Sequence, residues 1–282
     1  MFSTAEELMN ICKNSNRKIS EVMIEKEMEY ENLSFDELKD KLMSTWEVMK
    51  NSATAGLDEE IHSVSGLVGG NSKKIEDYRK NNETLSGDFV NLAMARAIST
   101  SELNASMGKI VAAPTAGGAG ILPAAMLSAK DKLNLTDDEV LNGLLTAAAI
   151  GEIVAINATI SGAEGGCQAE CGAAAAMAAA GIVEMAGGSV KQCFDAAGFA
   201  LTHIMGLVCD PIAGLVEYPC IIRNSSGVIN AFISADMALA NVQAIVPFDE
   251  IVGAMFKVGN AMPEALRETA LGGLAATETA KK

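Results

Sequence analysis

Three of the six cysteines lie in stretches rich in glycine and proline. Cys167 follows two glycines, Cys209 precedes an Asp-Pro pair, and Cys220 follows a proline. Glycine lets the backbone approach an inorganic core closely, and proline fixes the loop around it. Three thiolates could hold an iron–sulfur cluster and leave one iron open to a substrate as a Lewis acid. These residues favour a metal-cluster pocket over a disulfide framework, although buried free cysteines are the commoner explanation of such spacing alone.

The spacing of these cysteines argues against a zinc site. Gaps of 42 and 11 residues separate them, whereas zinc sites commonly use short Cys-x-x-Cys pairs. Long gaps suit a cluster that is held by three separate loops. Cys171 lies one helical turn after Cys167 and is a candidate fourth ligand, but its alanine-rich surroundings favour a place in the core. Cys12 and Cys193 lie in amphipathic segments and are interpreted as packing residues.

A glycine-rich segment, residues 112–123, could bind an anion. It opens a predicted helix, where backbone N–H groups are available to a ligand. It lacks the Gly-Lys-Ser/Thr ending of a phosphate-binding P-loop and does not match G-x-G-x-x-G. A substrate carboxylate is therefore the predicted guest, and a tight helix-packing turn is the alternative. The candidate substrate-binding residues in this segment are Thr115, Ala116, Gly117 and Gly118.

Polar residues near the cysteines supply further candidates. Arg223 and Asn224 closely follow the third cysteine, and a guanidinium there could clamp a carboxylate with two hydrogen bonds. Ser161, before the first cysteine, could bind a polar substrate or cap a local turn. His203 could act as a base or as a donor to a ligand, although a lone helical histidine is more often a packing residue. With only two histidines, a Ser-His-Asp triad is not expected, and the base could come from another chain.

Charge and hydropathy limit the partners. The chain has 282 residues, a net charge of −15 and no basic stripe interleaved with aromatic residues, so nucleic acid is not expected as a partner. The mean hydropathy is +0.23, but the most apolar stretches, 144–160 and 172–188, each contain a glutamate and much Ala and Gly. They predict buried core helices and no membrane span. The N-terminus lacks a signal-peptide pattern, which predicts a cytoplasmic protein with reduced thiols.

Helix signals dominate the chain, whereas strand signals are too short to found a sheet. Capping-box patterns begin at Ser3, Ser34 and Thr136. Apolar residues after Ser34 recur at the three- and four-residue spacing of one helical face. That face comprises Phe35, Leu38, Leu42, Trp46 and Met49. Further helices are predicted over 88–99, 138–150, 167–185, 190–207, 227–244 and 249–260. The sequence therefore predicts an all-α fold, a multi-helix catalytic domain rich in glycine and alanine.

The composition changes near residue 99. Before it the chain is charged and helical, and after it glycine and alanine dominate. We predict an acidic, helical N-terminal region over 1–98, packed on a helical iron–sulfur catalytic core over 99–282. One continuous domain over 1–282 is the alternative.

Several longer motifs resemble the α chain of the iron–sulfur-dependent bacterial L-serine dehydratase (L-serine ammonia-lyase). They occur in the same order as in that family and span nearly the full chain, with the strongest match between residues 99 and 276. The matching segments are 113–120 (APTAGGAG), 161–170 (SGAEGGCQAE), 206–220 (GLVCDPIAGLVEYPC), 223–224 (RN) and 266–275 (LRETALGGLA).

The resemblance implies an all-helical catalytic chain that holds a [4Fe–4S] cluster through Cys167, Cys209 and Cys220. It implies the conversion of L-serine to pyruvate and ammonia, in which the iron without a cysteine ligand assists the departure of the hydroxyl group. It also implies a β chain that carries a histidine motif of the Ser-Ser-His-Thr type, which this sequence lacks. The expected partners are therefore L-serine, that β chain and further copies in an oligomer.

Other functions remain compatible with these residues. The same scaffold could eliminate a different group from another amino acid. A pyridoxal-phosphate dehydratase could use Lys109 as its Schiff-base lysine and residues 117–120 as a phosphate loop. A non-catalytic iron–sulfur carrier or redox sensor would use four protein ligands, with Cys171 as the fourth. Finally, an assembly subunit could simply pack its cysteines in the core.

Overall fold

The computed structural model describes residues 2–282, and this part of the chain is helical and contains no β-strand. The prediction of an all-α fold is confirmed. The α-helices in chain order are α1 (Ala5–Ser15), α2 (Ile19–Glu31), α3 (Phe35–Asp58), α4 (Asn71–Asn81), α5 (Asp88–Ala105), α6 (Ile121–Leu133), α7 (Asp137–Asn157), α8 (Gly162–Gly165), α9 (Ala173–Met185), α10 (Val190–His203), α11 (Cys220–Leu239) and α12 (Phe248–Ala261). A π-helix, Gln168–Gly172, leads directly into α9.

Two of the three predicted capping boxes start their helices as expected. Ser34 caps α3, and its N–H donates to Glu37 Oε2 (2.8 Å). Thr136 caps α7 in the same way. The pattern predicted at Ser3 was wrong by one residue, because Thr4 is the cap of α1 and its hydroxyl accepts from the N–H of Glu7 (3.2 Å).

The predicted apolar face of α3 is largely buried. Leu38, Trp46 and Met49 are in the core, whereas Phe35, in the first turn, is exposed. The indole N–H of Trp46 donates to Asp137 Oδ1 (2.9 Å) at the start of α7. This bond satisfies the one polar atom of a fully buried ring and ties α3 to α7.

The ion pair at Asp137 should make stability depend on pH. Hydrogen bonds from Lys50 and Trp46 lower the pKa of Asp137 from 3.8 to about 2. Because the folded pKa is the lower one, this stabilisation is present above pH 3.8 and is lost as the pH falls toward 2. We expect Asp137→Asn to lower Tm clearly at pH 6 and by a smaller margin at pH 3. Thermal unfolding of both proteins checks this, and a Tm difference that stays constant with pH would contradict it.

The centre of the fold is the alanine-rich helix α9. Every residue from 173 to 184 is buried, and α9 packs against α6, α7, α10 and α11. Small residues permit this close approach, since a Cβ on Gly181 would lie 2.6 Å from the carbonyl oxygen of Gly143 on α7. By length and composition α7 could cross a membrane, but 67% of its most apolar window is buried inside the protein. Both apolar stretches therefore form core helices.

The largest error in the predicted helices concerns α11. It was predicted over 227–244 but begins at Cys220 and ends at Leu239. Pro219 occupies the N-cap position, where its missing N–H costs nothing. The earlier start matters because Cys220, Arg223 and Asn224 become neighbours on the first turns of one helix.

The division at residue 99 stays a prediction. Helix α5 (Asp88–Ala105) runs through that position without a break. It packs against α3 and α4 on the N-terminal side and against α6 and α11 on the C-terminal side.

Candidate metal centre

Cys167, Cys209 and Cys220 are positioned by three separate segments. Cys167 lies between α8 and the π-helix, Cys209 lies in the connection after α10, and Cys220 is the first residue of α11. All three are buried, with exposed fractions of 2%, 2% and 6%. Backbone hydrogen bonds fix Cys209, because its N–H donates to Leu266 O (2.9 Å) and its carbonyl oxygen accepts from the N–H of Glu268 (2.7 Å).

Hydrogen bonds hold the three cysteine segments together, and Cys171 lies beside Cys167. Cys167 Sγ lies 3.4 Å from Cys171 Sγ, and the N–H of Gln168, the next residue, donates to Leu207 O (3.0 Å), two residues before Cys209. Arg223, three residues after Cys220 on α11, donates through Nη1 to Val208 O (2.9 Å), directly before Cys209. Cys171 is buried, as the core interpretation expected, but its sulfur faces the other thiols. Cys12 and Cys193 are also buried.

The four thiols differ in acidity. Hydrogen bonds with Cys171 and Cys209 hold the pKa of Cys167 well below its ordinary value, and the charge of Arg223 acts in the same direction. The pKa values of Cys171 and Cys209 are raised, first by the hydrogen bond each shares with Cys167 and then by burial. Burial raises the pKa of Cys220 to about 12. Cys167 is therefore the first of the four to become a thiolate, the form that binds metals.

A buried carboxyl group lies beside the thiols. Glu170 belongs to the π-helix, and its Oε1 accepts a hydrogen bond from the hydroxyl of Thr115 (2.7 Å). Its Oε2 lies 3.8 Å from Cys209 Sγ. Burial raises the pKa of Glu170 to about 7. Sequence analysis missed this residue, although it lies in the same motif as Cys167. The π-helix, a rare element that often occurs at functional sites, sets the direction of its side chain.

A second carboxylate approaches from the C-terminal segment. Glu170, Cys209 and Glu268 each offer a ligand atom, and these atoms all lie within 4.8 Å of one another. Glu268 has a φ of 62°, a left-handed conformation that is uncommon for residues other than glycine. Such strain often accompanies functional sites. Sequence analysis missed Glu268 because nothing local indicates that residues 266–268 pair with Cys209.

Arg223 lies at the cysteine site, but protein groups already occupy its terminal nitrogens. Nη1 donates to Val208 O (2.9 Å) and Nη2 donates to Asp210 Oδ1 (2.7 Å). Its positive charge also helps to lower the pKa of Cys167. Asp210 Oδ2 in turn accepts from the N–H of Leu274 (2.6 Å). Arg223 thus places a positive charge beside the thiolate, and its role as a substrate clamp stays a prediction.

Asn224 joins α11 to the glycine-rich segment. Its Oδ1 accepts from the N–H of Gly120 (2.8 Å), and its Nδ2 donates to Gly117 O (2.6 Å) and to Cys220 O (2.8 Å). The side chain is buried, and these three bonds use both of its donors and its acceptor. Asn224 therefore holds the segment against the start of α11, and the structure shows no free polar atom for the predicted substrate contact.

The glycine-rich segment contains unpaired backbone donors. The backbone N–H groups of Thr115, Ala116, Gly117 and Gly118 make no hydrogen bond to any group in residues 2–282. Gly117 and Gly118 are buried, whereas Ala116 is exposed. Unpaired N–H groups of neighbouring residues are available to an anionic ligand. This geometry is compatible with the predicted carboxylate site.

The remaining candidates lie at different distances from the thiols. Ser161 is the N-cap of α8, directly before Gly162, so it borders the site. His203 is exposed, and its Nδ1 hydrogen-bonds Asn230 Oδ1 (2.6 Å) on α11. Asn230 is ten residues beyond Cys220, or about 15 Å along the helix. The structure therefore does not bring His203 to the cysteines. The other histidine hydrogen-bonds Glu60, and Lys109 is exposed.

Two glycines pack closely against the sulfur and carboxyl groups of this site. A Cβ on Gly162 would lie 3.0 Å from Cys209 Sγ and 2.5 Å from Glu170 Oε2, and one on Gly117 would lie 2.9 Å from Glu170 Oε1. Glycine at these positions lets the backbone approach the sulfur atoms closely. Clustered thiols are soft ligands that select zinc, copper(I) or iron–sulfur clusters. The donor set is therefore suited to a soft metal centre.

Comparisons with known proteins agree with the predicted resemblance. The family model of the serine dehydratase alpha chain matches residues 14–275. The chain is 51% identical to the L-serine dehydratase alpha chain of Peptoniphilus asaccharolyticus, over 100% of this chain and 97% of that protein. It is 47% identical to the probable L-serine dehydratase alpha chain of Bacillus subtilis, over 100% and 94%. It is 36% identical to the L-serine dehydratase of Helicobacter pylori, over 98% of this chain and 62% of that longer protein. The chain therefore belongs to the serine dehydratase alpha chain family.

Proposed function

We propose that this chain is the α subunit of an iron–sulfur-dependent L-serine ammonia-lyase that converts L-serine to pyruvate and ammonia. The observation that carries the proposal is the convergence of buried cysteines from three separate segments, beside Arg223 and Glu170. Family membership supports the substrate, since the relatives carry the name L-serine dehydratase. The reaction is a β-elimination of water from a small, zwitterionic amino acid.

The cysteines define the cofactor in this proposal. Cys167, Cys209 and Cys220 would hold a [4Fe–4S] cluster, and the iron without a protein ligand supplies a Lewis acid for the departing hydroxyl group when the cluster is bound. Arg223 keeps positive charge beside Cys167, which favours the thiolate over the thiol. Burial of all three sulfur atoms excludes water from the ligands.

The glycine-rich segment is the proposed site for the substrate carboxylate. The unpaired N–H groups of residues 115–118 can donate to its oxygens, and Asn224 holds this segment at a fixed distance from Cys220. Thr115 and Glu170 bond to each other at the same place. The hydroxyl of Ser161, at the N-cap of α8, is a further proposed contact. Binding the carboxylate orients the substrate so that its hydroxyl group faces the sulfur atoms.

The base that removes the Cα proton is assigned to a second chain. In the described part of this chain neither histidine contacts the thiols. We therefore propose a β subunit that brings a histidine to the open side of the site, in an oligomeric, cytoplasmic enzyme. The relative from Helicobacter pylori is consistent with this arrangement, because this chain covers only 62% of its length. Elimination of water yields aminoacrylate, which becomes an imine and hydrolyses to pyruvate and ammonia.

Anaerobic reconstitution followed by iron and sulfide analysis and EPR tests the proposal. We expect about four irons per chain and an EPR spectrum that changes when L-serine is added, with turnover once a β partner is present. A spectrum indifferent to L-serine, even with the partner, would favour a carrier or redox sensor. Protein that takes up no iron would refute the assignment of the cysteines.

A carrier remains the second candidate because of one specific observation. Cys171 Sγ lies 3.4 Å from Cys167 Sγ. A fourth cysteine is therefore present beside the three that the proposed lyase needs as ligands. Electron carriers usually hold their cluster through four protein ligands. The iron content of a Cys171→Ala variant distinguishes the carrier from the lyase.

A further inference from the structure

The carboxylates of Glu170 and Glu268 have no role in the proposed reaction, although both lie beside Cys209. Each of the three residues offers one ligand atom, and these atoms all lie within 4.8 Å of one another. Cys209 Sγ is 3.8 Å from Glu170 Oε2. On one tetrahedral ion, with bonds of about 2.3 Å to sulfur and about 2.1 Å to oxygen, these two ligand atoms would be about 3.6 Å apart. The observed spacing is therefore close to that of two ligands of a single metal ion.

Hydrogen bonds hold all three residues in place. The N–H of Cys209 donates to Leu266 O (2.9 Å), and the N–H of Glu268 donates to Cys209 O (2.7 Å), so the backbones of both ligands are fixed against each other. Glu170 lies in the π-helix, and its Oε1 accepts from the hydroxyl of Thr115 (2.7 Å). Hydrogen bonds of this second kind commonly orient a carboxylate that ligates a metal. The three donors are therefore already arranged around one place.

The two carboxylates lack a protein cation. Cys209 and Glu170 are buried, with exposed fractions of 2% and 9%. Within residues 2–282 neither glutamate forms an ion pair, and the carboxylate of Glu268 accepts no hydrogen bond. The guanidinium of Arg223 pairs instead with Asp210 (2.7 Å). Ionised carboxylates at this separation repel each other, and a metal ion between them would offset that repulsion.

The types of donor atom determine which metal fits. Carboxylate oxygens alone favour Mg²⁺ or Ca²⁺, whereas thiolates alone favour copper(I), zinc or iron–sulfur clusters. One sulfur with two oxygens suits a divalent transition metal of intermediate character, such as Zn²⁺, Fe²⁺ or Co²⁺. We propose that Glu170, Cys209 and Glu268 bind one such divalent ion and leave its fourth coordination position to water or a small ligand. This site shares only Cys209 with the three-cysteine set and requires neither a cluster nor a second chain, so it does not rest on the proposed function.

Anaerobic titration of the full chain with Co²⁺, before any iron or sulfide is added, tests the proposal. Co²⁺ is the probe because its bond to a thiolate gives a charge-transfer absorption, which reports on Cys209 directly. We expect this absorption to saturate at a single Co²⁺ ion per chain. Cys209→Ala should abolish the absorption, and Glu268→Gln should weaken Co²⁺ binding at least about tenfold, because even groups that only support a metal ligand have effects of that size.

Two further variants distinguish this site from other donors of the chain. Glu264→Gln removes the same charge from an exposed residue of the same segment and should leave the Co²⁺ affinity unchanged. Cys220→Ala removes a buried thiol that is outside the proposed donor set and should keep the Co²⁺–thiolate absorption. Thermal unfolding of each metal-free variant establishes that it is folded.

Three results would overturn the proposal. The first is the absence of a saturable Co²⁺–thiolate absorption in the wild-type chain. The second is a folded Glu268→Gln protein that binds Co²⁺ as tightly as the wild type does, which would exclude Glu268 as a ligand. The third is loss of the absorption in folded Cys220→Ala, which would indicate a site made of several cysteines. Cluster assembly is measured separately by iron and sulfide analysis, so this proposal and the proposed function can fail independently.

Discussion

Cys167→Ala is expected to abolish cluster assembly, whereas Cys171→Ala should retain it. Cys167 is the one cysteine whose pKa is lowered, and its sulfur lies 3.4 Å from Cys171 Sγ. Its loss would leave two protein thiols, so iron should fall from about four to less than one per chain, and lyase activity should be lost with it. Iron and sulfide analysis after anaerobic reconstitution, together with EPR, measures the effect.

Cys171→Ala is the matched control because it removes the same kind of sulfur atom from a position about one helical turn away in the same buried segment. The raised pKa of Cys171 keeps it a thiol that can donate to the Cys167 sulfur. Mutation of a group that supports a metal ligand in this way typically lowers the metal affinity by about 10- to 100-fold. The variant should therefore assemble about four irons and lose them faster to a chelator. If both variants lost their iron completely, four cysteines would be ligands, and the carrier would replace the lyase as the preferred function.

A second control tests whether the loss of any buried cysteine, and not only of a ligand, reduces the iron content. Cys193 is buried on α10, and its pKa is raised chiefly by desolvation and also by the charge of Glu184. Cys193→Ala should leave iron content and the EPR spectrum unchanged. Iron loss in this variant would mean that small core cavities, and not ligand identity, govern assembly.

The fold could be predicted from the sequence because its signals are local. Capping boxes at Ser34 and Thr136 and the apolar face of α3 depend on residues within a few turns of each other, and the structure confirms them. The alanine-rich α9 was recognised as core because small residues favour close helix packing. The start of α11 was missed because Ile221 and Ile222, β-branched residues directly after Pro219 and Cys220, hid a helical first turn.

Residues of the candidate site could be predicted only where the reactive side chain and its distinctive neighbours lie in one short sequence motif. The three cysteines were proposed as ligands because glycine and proline beside cysteine are visible in the sequence; the structure buries all three, and their role as ligands stays a prediction. Glu268 could not be found in this way, because it meets Cys209 through a backbone pairing between segments almost 60 residues apart. Such pairing depends on tertiary structure, and no local pattern encodes it.

Asn224 illustrates the opposite problem, in which the residue was identified and its role was not. An exposed asparagine beside a cysteine would suit a substrate contact. The structure instead buries Asn224 and satisfies its amide with Gly117, Gly120 and Cys220. Its chemistry is therefore structural: it sets the position of the unpaired N–H groups relative to the thiols. The sequence states which donors a side chain has, but only the fold determines which of them are used.

Gly162→Ala is expected to disable the site with little change in the fold. A Cβ at this position would lie 3.0 Å from Cys209 Sγ and 2.5 Å from Glu170 Oε2. Neither neighbour can move freely, because Cys209 is fixed by Leu266 and Glu268 and Glu170 is bonded to Thr115. A displacement of about 1 Å at a catalytic centre can cost on the order of a hundredfold in rate. We expect at least that loss of serine dehydration, accompanied by reduced iron content, in assays of the reconstituted protein with its β partner.

Gly253→Ala on α12 provides the comparison, since a Cβ there would have no heavy atom within 4 Å. Alanine is the better helix former, so this variant should gain up to about 1 kcal/mol in the free energy of unfolding and keep full iron and activity. Both variants add one methyl group. At Gly162 it would lie against Cys209 and Glu170, whereas at Gly253 it would have no neighbour within 4 Å. Equal activity in both would show that the backbone at Gly162 does not need to lie against the cysteine sulfurs, and the glycines around them would then lose their significance for a cluster. Loss of activity and iron in Gly162→Ala alone would locate the reacting group between α8, Cys209 and the π-helix.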